Sequence, residues 1–162
     1  MKTQFIVNPE LAQITMVRSF NCPVGRLWRC WTEPSLLDQW WAPRPYQNHT
    51  VHHELASGGR WQYYMQAPDG ARHYCFADYA LVMPISTLSW QDGFCDAQGM
   101  QDTAMPSTAW HTDFIDLTEG TSQTRSVLQY KDIEAMNTVI MMGFQQGLNM
   151  AFDNLDEVVS GI

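Results

Sequence analysis

Three histidines and a glutamate lie close together in the sequence, at His49, His52, His53 and Glu54. Imidazole and carboxylate groups bind zinc, so this cluster has the residue types of a metal site. On a β-strand, however, His52 and Glu54 project to one face while His53 points away. Two ligands do not complete a zinc site, and no cysteine or further histidine is near in sequence. We therefore predict a histidine-rich strand with no metal and no cofactor, and the roles of the three histidines stay open.

A second pair with chemical potential is His111 and Asp113. A carboxylate beside an imidazole can orient it as a general base. Their spacing places both on one side of a strand, opposite Trp110, Thr112 and Phe114. If the aromatic side faces a cavity, His111 points to solvent. No serine or cysteine occurs in a nucleophile motif such as GxSxG, so the sequence assigns no catalytic residue and leaves open whether the protein is an enzyme.

Composition limits the classes of partner. The 162 residues suit one domain spanning 1–162, and the net charge is −8. The charge is uneven, because residues 1–77 sum to +2 and residues 78–162 to −10. Binding to nucleic acid or to an anionic membrane needs clustered Lys and Arg, so neither is expected. The longest apolar run, Val139–Phe144, is too short to span a bilayer, so no membrane insertion is predicted.

The cysteines and the N-terminus bear on cellular location. Cysteines at 22, 30, 75 and 95 form no CxxC pair and have mostly apolar or aromatic neighbours. The N-terminal residues contain no apolar stretch of the kind found in signal peptides. We therefore predict free thiols and a cytoplasmic protein.

Residue spacing and turn signals predict the order of the elements. Strands with a period of two, bounded by Gly and Pro, indicate hairpins and hence an antiparallel sheet. Pro23 and Pro34 favour helix starts. The predicted strands are Ile14–Phe20, Thr50–Leu55, Arg60–Gln66, His73–Met83, Thr87–Gln91, Ala109–Leu117 and Thr124–Tyr130, with a turn at Glu119-Gly120. The predicted short helices follow Pro23 and cover Ser35–Trp41, and residues 92–107 are predicted to form a long loop.

The end of the chain predicts one long amphipathic helix, from about Ile133 to about Val159. Its apolar residues recur every three or four positions, which forms one stripe on a helix. Gly143 and Gly147 lie beside that stripe, and each costs roughly 1 kcal/mol relative to alanine. Either close approach to the sheet or space for a ligand would explain them. The fold class is thus α+β, with a curved antiparallel sheet wrapped around a C-terminal helix and two short helices after the first strand.

The segment Pro23–Pro43, PVGRLWRCWTEPSLLDQWWAP, resembles the opening of the family named for the activator of heat-shock protein 90 ATPase. Further matches are the Gly58-Gly59-Arg60-Trp61 segment with its Pro68-Asp69-Gly70 turn, and the Met142-Gly143-Phe144 ending. The chain departs from the family where Glu54 and Ala56 replace a frequent Asp and Arg. The resemblance implies the helix-grip fold of the START-related, Bet v 1-like (SRPBCC) superfamily, with an apolar cavity between the sheet and the C-terminal helix.

That implied cavity directs the functional reading. We expect a small apolar or aromatic ligand of unknown identity, because aromatic rings stack on flat molecules and methionines adapt to irregular ones. A cyclase- or hydrolase-type enzyme using the same cavity and a chaperone-interacting module remain alternatives, and a homodimer stays open. The expected rim contacts are Arg60 and His111. The residues expected to line the cavity are Trp40, Trp41, Trp61, Tyr63, Trp90, Trp110, Met136, Ile140, Phe144 and Gly147.

Overall fold

The structure is a computed structural model that describes residues 2–118 and 120–162. Eight strands form one antiparallel sheet in the order β1-β2-β8-β7-β6-β5-β4-β3. Their bounds are β1 Gln4–Asn8, β2 Gln13–Phe20, β3 Gln47–His53, β4 Arg60–Gln66, β5 Arg72–Met83, β6 Thr87–Phe94, β7 Ala109–Thr118 and β8 Thr121–Gln129. All neighbours in the sheet are consecutive in the chain except β2 and β8, so hairpins build most of it.

Two short helices, α1 Val24–Thr32 and α2 Pro34–Trp40, connect β2 to β3. Pro23 precedes α1, and Pro34 occupies the first turn of α2, where proline's missing N–H costs nothing. The backbone N–H of Glu33 donates to the Arg29 carbonyl at the end of α1. Pro23 and Pro34 therefore mark the starts of the two helices, as the sequence predicts.

The C-terminal part contains two helices, α3 Ile133–Met141 and α4 Phe144–Gly161. The prediction of one continuous helix to about Val159 is wrong, because Gly143 adopts a left-handed backbone conformation with φ of +84°. Its N–H donates to the Ile140 carbonyl, which ends α3. The apolar spacing of three and four continues across this break, so periodicity alone did not reveal it.

Helix α4 lies across the concave face of the sheet and packs against α1 and α2. Its Phe152 contacts the rings of Phe20, Trp31 and Trp40, all of which are buried. Burial of this aromatic surface stabilises the packing of α4 against α1, α2 and β2. The α+β, Bet v 1-like architecture is thereby confirmed.

Several element boundaries differ from the predictions. Strand β1 was not predicted, because its residues lack a regular alternation and are mostly exposed. Strand β6 continues to Phe94, although residues 92–107 were predicted to be loop. Strand β3 ends at His53, one residue before Glu54. Of the predicted Glu119-Gly120 turn, Glu119 lies outside the described residues.

Candidate functional site

A cavity of about 330 Å³ lies between the sheet and the junction of α3 and α4. Apolar and aromatic side chains form most of its wall, and the exceptions are few. Its lining comprises Trp41, Pro43, Tyr63, Met65, Cys75, Asp92, Gly93, Phe94, Pro106, Thr108, Trp110, Val139, Met142, Gly143, Phe144, Gly147 and Leu148. This size and lining are typical of small-molecule sites.

The sheet wall follows from strand alternation. Tyr63 and Met65 on β4 share a face, as do Asp92 and Phe94 on β6, because side chains two residues apart project to the same side. Trp110 on β7 completes this wall. Cys75 on β5, the strand between β4 and β6, also lines the cavity, so one face of four strands is directed towards the helices.

The opposite wall owes its space to two glycines. A Cβ added to Gly147 would meet only the Cγ of Pro43, at 3.8 Å, and one added to Gly143 would meet only the Gln146 side chain, at 4.0 Å. Phe144 lies between them and contacts Trp110 edge to face, with ring centroids 6.4 Å apart. The helix junction thus closes over the sheet without filling the space beneath it.

Asp92 is the carboxylate of the cavity wall. Its Oδ1 accepts a hydrogen bond from the Thr108 backbone N–H at 2.9 Å, and its Oδ2 accepts one from Trp110 Nε1 at 2.7 Å. Burial raises the pKa of Asp92 from 3.8 to about 7, and these two hydrogen bonds limit the rise. The residue keeps some accessible surface because it faces the cavity. Asp92 therefore changes its charge near neutral pH.

Two further polar groups face the same space. The Tyr63 hydroxyl accepts a hydrogen bond from Trp41 Nε1 at 3.0 Å, and burial raises the pKa of Tyr63 well above its usual value. Burial also raises the pKa of Cys75 to about 12. Tyr63 and Cys75 therefore stay protonated at neutral pH, and neither is an activated nucleophile.

Five of the residues expected to line a cavity lie on it: Trp41, Tyr63, Trp110, Phe144 and Gly147. Trp61 and Trp90 do not, because they border a separate void of only about 10 Å³ deeper in the aromatic core. Trp61 nonetheless stacks on Tyr63 with ring centroids 4.1 Å apart.

The other three expected lining residues belong to the core. Trp40 is fully buried and donates its Nε1–H to the Cys30 carbonyl at 2.8 Å. Met136 is buried, and Ile140 packs against the same core. Val139 on α3 and Met142, the residue that follows α3, reach the cavity instead.

The two expected rim residues lie away from the cavity. Arg60 pairs with Asp78 at 2.6 Å and donates to the Gly99 carbonyl at 2.7 Å. It alternates with inward-facing Trp61, so it lies on the other face of the sheet. His111 is exposed, with its Nδ1 2.8 Å from Ser89 Oγ. His111 and Asp113, 3.3 Å apart, thus form an outer-surface pair.

The histidine-rich segment is dispersed by the fold. His53 Nε2 lies 3.1 Å from the Tyr79 hydroxyl, and burial lowers the pKa of this imidazole. His49 stacks on Tyr64 with ring centroids 4.9 Å apart. Among the described residues, no three histidine, cysteine or acidic side chains group closely enough to hold a metal ion.

The sequence pattern predicts a loop at Asp92, so Asp92 is absent from the expected lining. The available signal was the alternation Leu88, Trp90, Asp92, Phe94, which continues the inner face of the strand predicted to end at Gln91. The polar residues after Asp92 obscured that pattern.

In the part of the chain that the structure describes, no helix is both long and apolar enough to cross a membrane.

Solved structures with a similar fold include several bacterial proteins. Protein Ms6760 from Mycobacterium smegmatis is 26% identical with a TM-score of 0.88, over 98% of this chain and 96% of that one. A protein from Arthrobacter aurescens is 25% identical with a TM-score of 0.91, over 98% and 92%. The AHSA1 protein from Silicibacter pomeroyi, at 16% identity and a TM-score of 0.70 over 91% and 97%, shows the fold alone.

The family model described as "Activator of Hsp90 ATPase homolog 1-like protein" matches residues 21–160. The search of curated proteins found no match. The matched residues run from just before α1 almost to the end of α4, so they include every residue of the cavity wall. The chain therefore belongs to the family of activator of Hsp90 ATPase homolog 1-like proteins.

Proposed function

We propose that this protein binds a small hydrophobic or aromatic molecule in the cavity between the sheet and the α3–α4 junction. The observation that carries the proposal is the cavity itself, about 330 Å³ in volume and lined mainly by apolar side chains. An apolar cavity favours an apolar guest, because transferring the guest's apolar surface out of water is favourable. Trp41, Trp110 and Phe144 offer ring faces and edges for a flat guest.

The test is a titration with N-phenyl-1-naphthylamine, a neutral dye that fluoresces in apolar surroundings. Wild-type protein should bind it saturably, whereas Gly147→Leu should lose that binding because the leucine side chain occupies the cavity. Gly161→Leu is the matched control, since Gly161 lies at the other end of α4 and outside the lining. Overpacking at position 147 costs roughly 1–3 kcal/mol, so thermal melts accompany each titration.

Dye uptake that rises without saturation in the wild type, or that is equal in wild type and folded Gly147→Leu, would contradict the proposal.

An enzyme of the cyclase or hydrolase kind is the second candidate, and Asp92 is the observation that favours it. A carboxyl with a pKa of about 7 can serve as a general acid or base. Turnover of a bound ester or polyketide-like probe that Asp92→Asn abolishes would support the enzyme instead.

A further inference from the structure

We propose that the ligand of this cavity is a cationic amphiphile, an aromatic or apolar body carrying one protonated amine that pairs with Asp92. This inference rests on the proposed function, because it specifies which small molecules the cavity prefers. It commits Asp92 to a binding role and Trp110 to a double role, as a hydrogen-bond donor to the carboxylate and as part of the wall.

Asp92 has hydrogen-bonding capacity that the protein does not use. An ionised carboxylate has about four acceptor sites. The protein fills one site on each oxygen, through the Thr108 N–H and Trp110 Nε1–H. Asp92 also borders the cavity. The remaining lone pairs are therefore available to a ligand that donates hydrogen bonds, and an ammonium group donates up to three.

The charge of ionised Asp92 has no cationic partner among the described residues. Among the described residues, no Lys, Arg or His forms an ion pair with Asp92, and none contributes to the cavity wall. A buried carboxylate without a cation is costly to ionise. A protonated amine would supply the missing charge, and the net charge of −8 favours the approach of cations over anions.

Aromatic side chains line much of the cavity that Asp92 borders. Trp41, Phe94, Trp110 and Phe144 line the same cavity as Asp92. The negative faces of aromatic rings attract a cation, most strongly when water is displaced. A site formed by Asp92 and such rings therefore favours a ligand with an alkylammonium group. The rings and Asp92 would both repel a ligand with a carboxylate or phosphate group.

The experiment compares three naphthalenes of nearly equal shape in wild-type protein at pH 8, by calorimetry. They are 2-naphthylmethylamine, which is cationic, 2-naphthylmethanol, which is neutral, and 2-naphthoate, which is anionic. Charge-assisted hydrogen bonds predict that the amine binds roughly ten- to a hundredfold more tightly than the alcohol. The naphthoate should bind most weakly.

The amine's affinity should also depend on pH. It should rise between pH 6 and pH 8 by up to about tenfold per pH unit, because the amine binds the ionised form of Asp92. Among the described residues, Tyr63, Cys75 and Tyr130 are titratable groups that interact with Asp92, and burial raises the pKa of each. They therefore stay protonated across this range and do not produce the change.

Variants tie the preference to one side chain. In Asp92→Asn the ratio of amine to alcohol affinity should fall to near one, whereas in Asp113→Asn, an equal charge change on the outer face of β7, the ratio should persist. Equal binding of amine and alcohol by wild type, or tightest binding of naphthoate, would overturn the inference and leave the proposed function standing. If no naphthalene binds saturably, both fall. Should Asp92→Asn not fold, the wild-type ligand ratio and pH dependence decide.

Discussion

Two regions of this protein are rich in tryptophan, yet only one of them contains usable space. The closed aromatic cluster, which we define as Trp31, Trp40, Trp61, Trp90 and Phe152, encloses or adjoins a void of only about 10 Å³. The cavity around Trp110 and Phe144 measures about 330 Å³. Trp41 borders both. Aromatic residues alone therefore do not distinguish a core from a binding site.

The difference lies in what covers each region. In the closed aromatic cluster, α2 and the middle of α4 fill the space over the sheet with the side chains of Leu37, Trp40 and Phe152. The cavity is covered by the α3–α4 junction, where Gly143 and Gly147 present no side chains. Local chain geometry at the junction, rather than composition, thus creates the site.

The largest expected effect comes from removing a ring of the closed aromatic cluster. Trp40→Ala should lower the free energy of unfolding by about 3–5 kcal/mol, because it opens a void in a fully packed core. Phe144→Ala should cost roughly half of that or less, since Phe144 is half-buried and already borders empty space. Urea denaturation of both variants measures the two costs. Equal losses would show that the regions are packed alike.

The next effect concerns the polar side of the cavity. Folded Asp92 keeps its proton up to about pH 7, whereas the unfolded carboxyl releases it near its usual value of 3.8. Folding between these values takes up a proton, so this residue lowers stability as pH rises, by up to about 1.4 kcal/mol per pH unit. The loss is nearly complete by about pH 8 and constant above it.

Asp92→Asn removes that loss. The free energy of unfolding of the variant minus that of wild type should therefore increase from pH 5 to pH 7 and level off by pH 8. Urea denaturation at each pH gives this difference, in which the contributions of the other carboxylates cancel. A difference independent of pH would mean that Asp92 is ionised throughout the range.

The smallest effects separate the two glycines. Gly143→Ala should destabilise the protein by roughly 1–2 kcal/mol, because alanine resists the left-handed conformation that ends α3. Gly147→Ala should instead stabilise it by up to about 1 kcal/mol, since this position is helical and a Cβ there meets only an ordinary contact. Thermal melts under identical conditions compare them. Shifts of the same sign would contradict the break at Gly143.

These glycines also illustrate which features of the fold the sequence does not predict. Period-two alternation and the prolines predicted the antiparallel sheet and the short helices, because those signals act over a few residues. Whether a buried tryptophan faces a void depends on the partner packed against it, which no local pattern reports. The sequence therefore predicts Trp61 and Trp90 in the cavity wall, although in the structure they border only the small void. Asp92 was missed because its polar neighbours resembled a loop.

The central claim, that one aromatic region accepts a guest and the other does not, can be read from the tryptophan side chains themselves. In the described residues, Trp41 Nε1 donates to Tyr63, Trp110 Nε1 to Asp92 and Trp40 Nε1 to the Cys30 carbonyl. Each indole N–H gives its own proton–nitrogen NMR signal, which single Trp→Phe variants assign.

The deciding measurement is a titration of the ¹⁵N-labelled wild type with neutral 2-naphthylmethanol. We expect the Trp41 and Trp110 indole signals to shift saturably with one-to-one stoichiometry. The Trp28 and Trp40 signals, which belong to buried residues outside the cavity wall, should move far less. Unchanged indole signals at saturating probe, or shifts of equal size at all four tryptophans, would contradict it.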